Sequence, residues 1–76
     1  MITVKLYGLL RIDSGIKERR IDAGSIKDVF QDLTNLGISQ KELTGCVILV
    51  NGKPATKRTI LHDGDAVVLM SPVAGG

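Results

Sequence analysis

Apolar and polar residues alternate from the start of the chain, with Ile2, Val4 and Leu6 interleaved by Thr3, Lys5 and Tyr7. A period of two predicts a strand with one buried face. Asp13-Ser14-Gly15 has turn chemistry, and a more polar strand over 17–22 is expected to return as a hairpin partner. Its Arg19-Arg20 pair suits a sheet edge, where charge discourages pairing with other chains. From Ser25 the period changes. Ile26, Val29, Phe30, Leu33 and Leu36 fall at i, i+3, i+4, i+7 and i+10, which draws one apolar stripe along a helix. Ser25 is placed to cap a free backbone amide, with Asp28 three residues on in a capping-box spacing that also suits the positive end of the helix. Gly37 fits the left-handed position that commonly stops a helix.

Cys46-Val47-Ile48-Leu49-Val50 is an unbroken apolar run closed by Asn51-Gly52. It reads as an interior strand followed by a tight turn. Pro54 is acceptable in a short return segment at an edge or in a loop. Asp63-Gly64-Asp65 turns the chain into Ala66-Val67-Val68-Leu69-Met70, a last buried strand. After Ser71-Pro72 the chain leaves as Val73-Ala74-Gly75-Gly76. The order is strand, strand, helix, strand, short strand, strand. One main helix across one face of a mixed sheet buries its stripe economically, with the first and last strands parallel at the centre. The fold class expected is therefore α+β, a β-grasp of the ubiquitin-like kind, as a single domain over 1–76 with a flexible Gly-Gly tail.

Composition narrows what such a domain can do. At 76 residues, folding buries only about 60% of the surface the unfolded chain exposes. A deep, water-excluding cleft is hard to build from so little, which favours a carrier or binding module over a self-sufficient enzyme. The net charge of +2 is spread along the chain, and Arg19-Arg20 and Lys57-Arg58 are its adjacent basic pairs. Nucleic-acid binding calls for a concentrated basic stripe and, for single strands, stacking aromatics; Tyr7 and Phe30 are the only aromatics, and Phe30 is expected in the core. One cysteine excludes an internal disulfide and an all-cysteine metal site. The start has neither a signal-peptide apolar run nor a membrane-spanning stretch, so no membrane partner and a cytoplasmic location are expected.

Conventional catalytic sets are absent. His62 lies beside a turn with no nucleophile assigned to it, and a surface turn histidine is the reading preferred to a general base. Cys46 opens an apolar strand, where cysteine behaves as a small hydrophobe rather than a reactive thiol. Asp63 and Asp65 bracket a turn glycine and are too lean for a metal site. The tail remains. Residues without Cβ atoms make a slim segment that can thread a narrow channel in a partner enzyme and present its carboxylate at the bottom. The carboxylate of Gly76 would be ionised at neutral pH and a poor electrophile. Adenylation would turn it into a mixed anhydride, from which a sulfur nucleophile can displace AMP to leave a thiocarboxylate. The chain has no phosphate-cradling glycine loop of its own, so ATP is expected to be used by an activating partner, and no cofactor is expected on this chain.

Over essentially its whole length the sequence resembles the MoaD/ThiS family of ubiquitin-like sulfur carriers. Ile2-Thr3-Val4-Lys5-Leu6-Tyr7-Gly8, followed by Arg11 and Gly15, resembles the opening of molybdopterin-synthase small subunits. Val50-Asn51, Leu61, Asp63-Gly64-Asp65 and Ser71-Pro72-Val73-Ala74-Gly75-Gly76 recur at that family's spacing. The usual ending is Pro-Pro-Val-x-Gly-Gly, and Ser71 stands where the first proline would be. The Pro-Val element favours the molybdopterin branch over the thiamine-pathway carriers. The resemblance implies that an E1-like adenylating enzyme of the MoeB/ThiF kind activates Gly76 and that a sulfurtransferase helps supply sulfur. It further implies that Pro72, Val73, Ala74 and Gly75 insert into a MoaE-like large subunit, which contributes the catalytic residues and receives the sulfur for the pterin dithiolene.

Strand parity then places a docking surface. If Ile2, Val4, Leu6, Val67 and Leu69 face the helix, then Tyr7, Val68 and Met70 emerge on the opposite face, where an apolar patch beside the tail suits a protein interface. Two other functions use the same residues. A lysine amine could attack the activated Gly76 instead of sulfur, which makes a protein modifier, and a passive β-grasp interaction module would tolerate loss of Gly75-Gly76.

Overall fold

The computed structural model describes residues 1–71. Five strands form one sheet: β1 (Ile2–Tyr7), β2 (Glu18–Ile21), β3 (Val47–Val50), β4 (Lys53–Pro54) and β5 (Ala66–Met70), in the order β2-β1-β5-β3-β4. β1 and β5 are parallel neighbours at the centre, and the other pairings are antiparallel. The main helix, α2 (Ile26–Asn35), covers one face. This is the β-grasp that the strand order and helical stripe predict.

Alternation in β1 does what its pattern requires. Ile2, Val4 and Leu6 are all but inaccessible, and so are Val67 and Leu69 in β5. They pack with Ile26, Val29, Phe30 and Leu33 of α2 into one core. The Ser25 hydroxyl accepts the Asp28 amide at 3.3 Å and starts the helix. Asp28 in turn reaches back to the amide of Gly24 at 3.2 Å, one residue earlier than a capping box would have it. At the other end Gly37 has φ 103°. Its amide donates to Thr34 and that of Ile38 to Leu33, the paired bonds of a Schellman stop.

Arg19 departs from the sequence expectation of a simple charged edge. Lying on the helix-covered face, it donates to both carboxylate oxygens of Asp32 on α2, at 2.6 and 3.1 Å. The fork ties the sheet edge to the helix, a geometry that guanidinium supports better than ammonium. Asn51-Gly52 forms the expected two-residue turn, both residues at positive φ between the paired Val50 and Lys53. Pro54 sits on the edge strand β4, where no ladder donor is needed.

Three expectations are corrected. Asp13-Ser14-Gly15 is not a hairpin turn: Leu9–Ser14 forms a short helix, α1, which Gly15 closes in the left-handed conformation. Leu10 drives it, because this side chain is fully buried in the core. A second short helix, α3 (Gln40–Thr44), is capped by Ser39 and buries Leu43; no element was expected there. Leu36 is not on the buried stripe. It is the C-cap of α2 and is 48% exposed, because the chain turns at Gly37 and sends Ile38 into the core instead.

Candidate functional site: the open sheet face and the root of the tail

The face of the sheet opposite α2 carries the alternate residues of the same strands. Tyr7 pairs with Met70, and Met70 pairs with Val47, so three apolar side chains line up across β1, β5 and β3. Their exposures are 39%, 40% and 48%. One step along, Lys5, Val68, Leu49 and Pro54 form a second row. Toward β2 the apolar surface gives way to charge, where Lys5 approaches Glu18 at 3.8 Å. The arrangement is an apolar centre with a charged margin, which suits a protein interface better than a small-molecule site. Tyr7, Val68 and Met70 share this face, as parity places them. Val47 and Leu49 were not singled out from the sequence. Alternating burial would have marked them, but β3 lies inside a continuous apolar run that carries no parity of its own.

The patch ends where β5 ends, at the root of the tail. Ser71 is the buried polar residue among those described. Its amide reaches the carbonyl of Tyr7 at 3.4 Å, which continues the β1–β5 ladder by one step. Its hydroxyl accepts the backbone amide of Leu10 at 2.9 Å. Gly8 lies against it with φ 69°, and a Cβ at that position would run into the Ser71 carbonyl oxygen. The candidate residues Pro72, Val73, Ala74, Gly75 and Gly76 lie outside the described residues.

The side chains set aside as structural occupy structural settings. Cys46 is half-buried and its thiol donates to the Leu43 carbonyl at 2.9 Å; burial pushes its pKa up, away from the reactive thiolate. His62 is exposed in its turn. The backbone amide of His62 donates to Asp65, and this bond, reinforced by the Asn51 side chain, holds the Asp65 carboxyl below its usual pKa. Asp63 pairs with the chain's α-amino group, which lowers the carboxyl pKa and raises that of the amine. Among the described residues no cluster of His, Cys, Asp or Glu could hold a metal, and no helix is long and apolar enough to cross a membrane. A hollow on the helical side is lined by residues of α2 and α3 and by Lys57, with none from β1 or β5. It shares nothing with the tail root.

A family model described as ThiS family matches residues 4–76, which spans both the open-face strands and the terminal glycines. The chain belongs to the ThiS family. Solved structures agree on the fold. SAMP1 from Haloferax volcanii superposes with a TM-score of 0.84 at 22% identity, over 99% of this chain and 98% of that one. The Helicobacter pylori complex of subunits 1 and 2 of molybdopterin-converting factor matches at TM-score 0.73 and 26% identity, covering 99% and 97%. The Amycolatopsis orientalis BexX/CysO complex matches at TM-score 0.75 and 20% identity, covering 100% of both. No curated protein matches significantly. This ThiS-family chain is thus a small ubiquitin-like domain of the carrier and modifier group, with an exposed apolar row on the open face of its sheet.

Proposed function

We propose that this chain is a sulfur carrier whose reacting group is the carboxylate of Gly76, and that it serves as the small subunit of a molybdopterin synthase. The family match that runs through Gly75 and Gly76 carries the reading. The Helicobacter pylori structure, in which a similar chain is complexed with a second subunit of molybdopterin-converting factor, supports the branch.

The chemistry divides between the chain and its partners. An E1-like enzyme joins the Gly76 carboxylate oxygen to the α-phosphorus of ATP, and pyrophosphate leaves. Hydrosulfide attacks the resulting acyl carbon. The bond from that carbon to AMP breaks, AMP leaves with the electron pair, and loss of the sulfur-bound proton gives the thiocarboxylate. In the cell a sulfurtransferase would deliver the sulfur. The contribution of this chain is geometric: glycines let the carboxylate reach a reacting atom at the end of a channel, while the row Tyr7, Met70 and Val47 docks the body of the domain. Neither step calls on His62 or Cys46.

Incubation with an activating enzyme, ATP and sulfide tests the reading directly by intact-mass measurement. The full chain is expected to exchange one oxygen for sulfur, and a chain lacking Gly75 and Gly76 is expected to remain unchanged. Equal sulfur uptake by the shortened chain would defeat the proposal. Recovery of Gly76 in isopeptide linkage to lysines of other proteins, without thiocarboxylate, would favour the protein-modifier reading.

A further inference from the structure

We propose that the Ser71 hydroxyl is a positioning device for the tail: by capping α1 from the far end of the chain, it locks the origin of residues 72–76 to the first loop. The inference rests on the carrier reading above.

The amide of Leu10 comes at the start of α1, where helical amides have no partner within the helix. A local cap would come from the N-cap residue, but that residue is Gly8 and has no side chain to offer. Leu10 is fully buried, so water cannot substitute. The partner is instead Ser71, 61 residues away in sequence, whose hydroxyl accepts at 2.9 Å. Gly8 makes the approach possible. Its positive φ and lack of a side chain let the Ser71 carbonyl and hydroxyl occupy space that a Cβ would fill.

Three links converge on one residue. The Ser71 amide bonds to Tyr7, its hydroxyl bonds to Leu10, and its backbone packs against Gly8. Tyr7 is also part of the docking row. The point from which the tail departs is therefore held to the end of β1, the strand that carries Tyr7, and to the start of α1. Without the hydroxyl bond, the tail's origin would be held by the last step of the ladder, at 3.4 Å, and by packing against Gly8, and the reach of Gly76 into a partner's site would vary. Small displacements at a reacting atom cost large rate factors. Ser71 acts through the tail and not on the reacting atoms, which makes it a positioning residue.

The test combines amide exchange at Leu10 with steady-state activation of the tail, measured as pyrophosphate release in the presence of activating enzyme, ATP and sulfide, which discharges the adenylate and allows turnover. Wild-type, Ser71→Ala and Ser71→Thr chains are compared well below their melting temperatures. Loss of one buried hydrogen bond should speed Leu10 exchange about tenfold in Ser71→Ala. In the same variant kcat should fall about tenfold with KM within about twofold of wild type, because the docking face is intact while presentation of the carboxylate is not. Ser71→Thr keeps the hydroxyl and should regain both. Faster exchange with wild-type kcat and KM would reduce the clamp to a purely structural bond and overturn the proposal, as would unchanged exchange. Wild-type chain that releases no pyrophosphate would defeat the carrier reading instead, an outcome distinguishable because it appears in the unmutated control.

Discussion

The two faces of the central β1–β5 pair are made from alternating residues of the same strands, yet one is buried and the other open. Val4, Leu6, Val67 and Leu69 lie beneath α2 with essentially no accessible surface. Their immediate neighbours Tyr7, Val68 and Met70 lie on the uncovered face, with Tyr7 and Met70 around two-fifths exposed. A shift of one residue in the chain is a shift from the buried core to the open face, where docking is proposed. Stability and recognition can therefore be perturbed separately by substitutions at adjacent positions, which is a sharper test than any mutation at a site that serves both.

The largest effect is expected on the covered face. Leu69→Ala removes a fully buried side chain and should cost about 2–5 kcal/mol in unfolding free energy. For a domain this small, that is a large share of the stability and is readable by urea titration. Met70→Glu, one residue along, should leave the unfolding free energy within about 0.5 kcal/mol of wild type. Its cost should instead appear as a loss of about thirtyfold in affinity for the proposed large subunit, measured by calorimetry, as expected for the centre of an interface. If Met70→Glu unfolded the domain, or bound as wild type does, the division between faces would fail.

A smaller effect is expected at the opposite end of β5, away from both faces. Asp65 accepts the His62 amide and the Asn51 side chain, and its carboxyl titrates below the ordinary range. A depressed carboxylate pKa contributes stability that is present above the unfolded value, near 3.9, and is lost as pH falls through the folded value. Asp65→Asn should accordingly be less stable than wild type at pH 7, and the gap should narrow below about pH 4. A gap that stayed constant across that range would remove the carboxylate from the account.

How much of this was legible in the sequence followed the length of each signal. β1 and α2 announced themselves because six alternating residues and a three-turn stripe define a period, and Ser25 and Gly37 marked the ends of α2 with chemistry peculiar to helix termini. The turns at Asn51-Gly52 and Asp63-Gly64-Asp65 were equally plain. α1 and α3, of six and five residues, are under two turns long and show no period; each exists because one leucine, Leu10 or Leu43, finds the core. Val47 and Leu49 were hidden inside an all-apolar run, where only pairing with Met70 and Val68 reveals which way they face. Ser71 read merely as a departure from a proline-rich ending. Its partners, Gly8 and Leu10, lie at the other end of the chain, and no local pattern could connect them. The chemistry proposed at the tail is argued from glycine's backbone freedom, which is intrinsic to the residue rather than to its surroundings.

The measurement that bears most directly on the whole account is fragmentation mass spectrometry of the intact chain after reaction with activating enzyme, ATP and sulfide. The account predicts one oxygen-to-sulfur replacement located on the C-terminal residue, Gly76, with Cys46 unmodified. Sulfur found on Cys46, with Gly76 still an ordinary carboxylate, would contradict it.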